Sequence, residues 1–357
     1  MKKVVLLAPT PPPVGGIAGW TIRMKEASLK NGWQVDVVDE KITPTESGGT
    51  EENRTLFSEW TRCCRIWNDL KKSLQDPDAL VVHSCIPSTT GALAREYICA
   101  CITKRRKRKF IVHFRCTVPN TTRGILGRYL LKRLCQKSDL IITLNMQTNS
   151  YLEKITDTPM VLIPNFISVG ECENTIDIRP EVKRAVYVGK VIETKGVIDI
   201  IRLAERFPNI EFRLVGEVAN DILTREELKG LSNVVFVGIK GREGVRAELM
   251  EADVFLFLSY FFGEGFSNAL AEAMAVGLPC IVTDWAANKD MIGTEGGAVV
   301  DVKDVDAAQR ALEEMMPADV RRKQSKVNIQ KVKSEYLDSI VIDKYVDCYE
   351  SLCKSSK

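Results

Sequence analysis

Apolar residues follow two rhythms along this chain. Short β-branched runs, apolar on both faces as buried parallel strands are, alternate with longer stretches whose apolar positions recur every three or four residues. The runs predict strands at 3–7, 35–38, 79–83, 110–113, 140–143 and 161–163, with helices near 17–30, 56–74, 90–103, 123–136 and 146–154 between them. A second series follows. Strands are expected at 185–188, 211–215, 234–237, 254–258, 280–282 and 298–300, and helices near 196–206, 244–251, 268–276 and 306–315. Strand–helix alternation on this scale predicts parallel sheets covered by helices on both faces. Between the halves, 169–180 is polar and aperiodic, ends at Pro180 and reads as a linker. Strands stop near residue 318. Leu337, Ile340, Val341, Tyr345, Cys348 and Leu352 then form one helical stripe that must pack on something.

Length and charge sharpen this picture. At 357 residues the chain suits two domains of about 150 each. The split is expected as 1–168, then the linker, then 181–334, with a terminal helix at 335–357. A hydrophobic share of 45% and a charged share of 27% describe a globular protein, not a collagen, a disordered tail or a disulfide scaffold. The net charge of +3 gives no general reason to bind nucleic acid. No run reaches the roughly 18 apolar residues of a membrane span, and the apolar start ends too early at Pro9 for a secretory signal. The 11 cysteines are irregularly spaced and only His83 and His113 accompany them, so reduced thiols in a cytoplasm are expected rather than a zinc site.

Three glycine-bearing segments follow strands, where backbone approaches phosphate most closely. The first is Val14-Gly15-Gly16-Ile17-Ala18-Gly19, with Asp39 placed where a dinucleotide-binding acid would stand, which keeps a nicotinamide dehydrogenase among the alternatives. In the second, Lys190 and Lys195 flank Val188-Gly189 and Gly196, and two ammonium groups beside a helix start suit a diphosphate. The third runs from Gly263 through Glu264, Gly265, Phe266, Ser267, Asn268 and Leu270 to Glu272. Eight helical residues span roughly 12 Å, beyond the roughly 5–9.5 Å between paired glycosidase carboxylates. Glu264 and Glu272 should therefore hold different parts of one long ligand.

The string E-G-F-S-N-x-L-x-E-A-M-A-x-G-L-P from Glu264, with V-G-K-x-x-x-x-K-G at 188–196, the early Gly-Gly loop and Ile163-Pro164-Asn165, resembles retaining glycosyltransferases of family 4. The resemblance covers nearly the whole chain and is stronger in the second half. It implies a GT-B fold, an α/β architecture of two Rossmann-like doubly wound parallel-sheet domains facing a cleft, with the last helix crossing back to the first domain. It also implies transfer of a sugar from a UDP- or GDP-sugar to a saccharide or lipid-linked saccharide acceptor, in cell-surface polysaccharide synthesis. The nucleotide sugar is then a co-substrate, and no cofactor or metal is expected. Glu272 would hold the ribose, Glu264 would face the donor sugar, and Lys190 and Lys195 would neutralise the diphosphate with Gly16, Ser267 and Asn268. Gly216 and Ile239 fall where the family binds the nucleoside. His113 would act beside the transferred sugar, with His83 and Arg115 left open. Lys190 stands where the family commonly has arginine; the charge stays and the fork geometry goes.

Two D-x-D triplets, Asp76/Asp78 and Asp304/Asp306, read as a turn and a helix start rather than a metal site. The run Lys104, Arg105, Arg106, Lys107, Arg108 and Lys109 has no interleaved aromatics. It suits an anionic membrane surface better than nucleic acid, which would place the protein at the inner face of the membrane. The rival readings are a GT-B nucleotide-sugar epimerase and a non-enzymatic nucleotide-sugar-binding protein.

Overall fold

A computed structural model describes residues 1–12, 16–27, 29, 32–41, 56–172 and 174–354. The chain forms two compact units, Met1–Asn165 with Ser339–Lys357, and Phe166–Asp338.

The first unit holds a parallel sheet of β1 (Lys2–Ala8), β2 (Trp33–Asp39), β3 (Ala79–Ile86), β4 (Lys109–Phe114), β5 (Leu140–Thr143) and β6 (Met160–Leu162), in the order β2-β1-β3-β4-β5-β6. Central β1 is buried from Val4 to Ala8, whereas edge strand β2 alternates from buried Trp33 to exposed Gln34. On one sheet face Leu7, Val82, Phe110 and Val112 pack with Ile66, Leu70, Leu93, Leu131 and Leu134 from the helices Leu56–Ser73, Thr90–Arg105 and Gly124–Lys137. Because strand side chains alternate, His83 points to the opposite face, where it meets Trp20 of the helix Gly16–Glu26 and Tyr345 of the helix Asp338–Lys354. That last helix buries Val341, Tyr345, Val346 and Tyr349. Its Glu350 accepts from Trp33 Nε1 at 2.7 Å and pairs with Lys2 at 2.5 Å. Leu337 lies just before this helix, and Tyr349 takes the place in the buried stripe that periodicity gave to Cys348.

The second unit holds β7 (Arg184–Val188), β8 (Glu211–Val215), β9 (Val234–Gly238), β10 (Val254–Phe257), β11 (Cys280–Thr283) and β12 (Gly297–Val300), parallel and ordered β12-β11-β10-β7-β8-β9. The helix Val197–Arg206 buries Val197, Ile200, Ile201 and Ala204, a stripe at helical spacing.

The stretch 169–180, expected as a linker, is instead part of the second unit. Its polar composition hides backbone pairing. Ile176 N–H donates to Val276 O at 2.8 Å, and buried Arg321 donates to the carbonyls of Arg179 and Pro180 at 2.9 and 3.0 Å. The residues 335–338, expected with the terminal helix, also stay with this unit. Ile167 bridges Leu337, and Asp338 N–H donates to Ile167 O at 2.9 Å. The units therefore meet in sequence at 165/166 and 338/339. All 11 cysteines carry free thiols. Among the described residues no helix is long and apolar enough to cross a membrane.

Candidate active site

The second sheet reverses its strand order between β7 and β10. Ligands of open α/β sheets bind at such a switch point, beyond the carboxyl ends of the strands. The loops leaving those two strands carry the second and third motifs. They are tied together by Tyr260 N–H donating to Thr194 O at 2.9 Å. Gly196 stands at φ +76°, and a Cβ there would overlap the Leu258 carbonyl, so only glycine lets the loops cross this closely. Gly216, at φ +141°, is equally constrained, since a Cβ would overlap the Gly189 carbonyl oxygen.

This crossing turns Lys195 inward. Its ammonium pairs with Glu264 and lies 4.8 Å from the Phe261 ring centre and 5.7 Å from that of Phe257. Buried Ser259 donates to the same Glu264 oxygen at 3.3 Å. Trp285 Nε1 donates to Phe261 O at 2.8 Å and holds that aromatic loop. Phe261 and Ser259 were not singled out in the sequence; the run Tyr260-Phe261-Phe262 directly after a strand was the available signal.

The other expected residues take separate places. Lys190 is 72% exposed and lies 3.9 Å from Glu217, so the two lysine side chains are held by different carboxylates. Ser267 caps the helix Asn268–Ala275, its hydroxyl accepting from Leu270 N–H at 3.2 Å, and Asn268 is the first helical residue. The backbone N–H groups of that first turn have no intrahelical acceptor and carry positive dipole. Glu272, one turn on, lines a cavity of about 270 Å³ with Ser168, Gly170, Arg242, Arg246 and Leu249. Lys195 and Glu264 are not part of that lining. Ile239, 76% exposed, follows Gly238 at the end of β9.

In the first unit, Gly16 opens the helix Gly16–Glu26, and Val14 and Gly15 lie outside the described residues. Asp39, the candidate ribose acid of a dehydrogenase, is occupied locally, accepting from Thr10 N–H at 3.0 Å and Lys41 N–H at 2.9 Å.

His113, expected beside the transferred sugar, is wholly buried. Its Nε2 lies 3.3 Å from Arg115 Nη1, its Nδ1 3.0 Å from His83 Nε2, and His83 Nδ1 lies 2.8 Å from Tyr349 OH. A guanidinium only donates, so the direction of the chain is fixed. Arg115 donates to His113, His113 to His83, and His83 to Tyr349. Both rings are then neutral. Burial, with Arg115 adding to it, pushes His83 down to about 3 and His113 well below the usual histidine range. Cys85 joins this pair, its Sγ 3.9 Å from His113 Nδ1.

Unfolded histidines protonate near 6.5, while these two stay neutral in the folded chain, so below that pH the unfolded state binds more protons. Stability should fall as pH drops from about 6.5 toward 3, by up to about 1.4 kcal/mol per pH unit for each histidine. Urea unfolding at pH 7.5 and pH 5 measures this, and His83→Asn should flatten the slope. An unchanged slope in that variant would place the titrating groups elsewhere.

The D-x-D acids are engaged elsewhere. Asp76 pairs with Lys3 at 2.5 Å, Asp78 with the N-terminus at 3.0 Å and Asp306 with Arg206 at 2.6 Å, while Asp304 caps a helix through Ala307 N–H at 2.8 Å. In the basic run, Lys104 and Lys109 face Asp139 at 2.8 and 3.7 Å, and Arg108 donates to Pro77 O at 3.1 Å. Arg105, Arg106 and Lys107 are exposed.

Two Rossmann-type units define the GT-B class of α/β proteins. Residues 173–332 match the family Glycosyl transferases group 1, and residues 14–171 match Glycosyltransferase Family 4. The chain belongs to this family of glycosyltransferases. It is similar to the processive diacylglycerol alpha-glucosyltransferase of Acholeplasma laidlawii, 26% identical over 50% of this chain and 61% of that one. It also resembles the alpha-galactosylglucosyldiacylglycerol synthase of Streptococcus pneumoniae, 25% identical over 65% of this chain and 66% of that one. The match thus spans less than two thirds of either relative's length. Among solved structures, sucrose-phosphate synthase from Thermosynechococcus elongatus superposes with a TM-score of 0.81 at 16% identity, over 99% of this chain and all of that one. HepE of Anabaena, solved with UDP and glucose, superposes with a TM-score of 0.76 at 11% identity, over 98% of this chain and all of that one.

Proposed function

We propose that this protein transfers a sugar from a nucleotide sugar to a lipid-linked or saccharide acceptor, with retention at the anomeric carbon and without a metal. The observation that carries this is the Lys195–Glu264 pair at the β7/β10 switch point, beside the start of the helix Asn268–Ala275. An ammonium has three donors, so Lys195 keeps Glu264 on one and offers the others to a diphosphate. As the sugar–phosphate bond breaks, negative charge grows on the leaving diphosphate. Lys195 and the helix start stabilise it without reorganising. Glu264 holds the ammonium in place and faces the sugar. Glu272, on the 270 Å³ cavity, binds the nucleoside.

The engagement of the D-x-D acids by other residues supports metal-independent transfer. Buried His113 acts on this reading as a positioning residue for Arg115. The acceptor belongs to the first unit, where a cavity of about 700 Å³ opens at the ends of β1 and β3 beside Glu40, Arg62 and Arg95. Burial raises the Glu40 carboxyl well above the usual range, while Arg95 pairs with it at 3.0 Å. The two glycolipid-synthesising relatives and the exposed cations at 105–107 support work at an anionic membrane surface, at the cytoplasmic face.

A thermal-shift panel tests the donor. UDP- or GDP-sugars should raise the melting point, since only a ligand of the folded state does so, and product analysis should show sugar on an added acceptor. Isomerised donor in the absence of acceptor would favour an epimerase, and a shift from NAD alone would favour a dehydrogenase.

A further inference from the structure

The helix Gly124–Lys137 of the first unit is amphipathic in an unusual sense, because both of its faces carry large apolar residues. Gly127, Leu131, Leu134 and Cys135 are buried. Gly127 sits so close to the helix Thr90–Arg105 that a Cβ would lie 3.1 Å from Thr90 Oγ1. On the other side Ile125 is 89% exposed, Leu126 62% and Tyr129 59%. At 100° per residue these three group on the outward side of the first two turns. Folding leaves them in water, and an exposed apolar cluster on an otherwise well-packed helix marks an interaction surface.

The surrounding charge selects the partner. The helix has no acidic residue. Arg123, Arg128, Lys132 and Arg133 are exposed along the same side. The Lys104–Asp139 pair brings exposed Arg105, Arg106 and Lys107 to the helix's C-terminal end. Glu153 and Asp157 reach only the flank, sharing a depression with Lys132 and Gln136. A protein partner would need acids placed to meet each of these cations, whereas anionic headgroups meet them at any position. A bilayer takes the apolar cluster into its acyl boundary and the cations onto its headgroups, with the tyrosine at the level between.

We propose that the helix Gly124–Lys137 is an interfacial anchor, lying in the surface of an anionic bilayer with Ile125, Leu126 and Tyr129 immersed. The proposal shares the anionic surface with the proposed function. It moves the attachment from the basic run, three of whose six cations are held by Asp139 and Pro77, to a separate helix. The run then adds screened attraction and the helix adds insertion.

Sedimentation of the full chain with phosphatidylcholine vesicles, with and without phosphatidylglycerol, at low and high salt, tests this. The parent should pellet with the anionic vesicles and keep part of that binding at high salt. The triple variant Ile125→Ser, Leu126→Ser, Tyr129→Ser should lose the salt-resistant part, with at least a tenfold fall in partitioning. Its melting should match the parent's, because those side chains make little contact in the fold. Should it melt early, Tyr129→Asp alone is the second test, with the same direction expected. Reversal of charge at Arg105, Arg106 and Lys107 should remove only the salt-sensitive part. If the serine variant pellets like the parent while charge reversal abolishes binding, the anchor is refuted and the basic-run reading survives. No pelleting of the parent with anionic vesicles overturns both.

Discussion

Glu264→Gln should lower turnover by about two to three orders of magnitude, the scale of removing one fixed electrostatic partner from a reacting centre, while the protein still folds. Glutamine keeps the shape and can still accept from Ser259, which now reaches Glu264 at 3.3 Å. It removes the charge that fixes the Lys195 ammonium between the Phe261 and Phe257 rings. The ammonium then moves with the diphosphate in the ground state, and its extra grip on the transition state is lost. The pair is partly open, with side-chain exposures of 17% and 10%, so the stability cost should be modest, about 1–2 kcal/mol after screening. Initial rates at saturating donor, beside a thermal melt, separate the two effects. Parental turnover would remove Glu264 from the reacting centre.

Lys195→Ala should act on donor affinity first. Losing a charge-assisted hydrogen bond of about 1.5–3 kcal/mol weakens binding by roughly 10- to 100-fold. The Glu264 carboxylate left behind also repels the phosphates. The double variant Lys195→Ala/Glu264→Gln should therefore bind donor better than Lys195→Ala alone, although both changes harm the parent. Non-additivity of this sign is expected of an ion pair whose two members both act on the bound phosphates. Equal or worse affinity in the double variant would mean that Glu264 lies too far from the donor's phosphates to repel them.

The strands were readable because parallel strands buried on both faces are apolar without interruption. Their ends extend into Lys2, Lys109 and Arg184, where no apolar signal remains. The helices Val118–Thr121, Asn220–Leu223 and Asn288–Ile292 leave no signal in the sequence because one turn has no period. The unit boundary is not legible in the sequence because backbone hydrogen bonds, such as that from Ile176 to Val276, leave no mark in composition.

In the site, Lys195 and Glu264 were each visible as motif residues. Their pairing was not, because they lie 69 positions apart and meet only where β7 and β10 are neighbours. The burial of His113 was hidden for the same reason. The far end of its hydrogen-bond chain, Tyr349, lies 266 positions from His83, on a helix where three-and-four spacing favoured Cys348. Local pattern records which face of an element is buried. Contacts made by topology must be seen.

The role of the switch point in gripping a diphosphate is tested most directly by calorimetric titration of UDP into the parent and into Lys195→Ala. Binding by the parent, weakened at least tenfold in the variant while the nucleoside uridine binds both equally, is the expected result. UDP binding of the same strength in both proteins would contradict it.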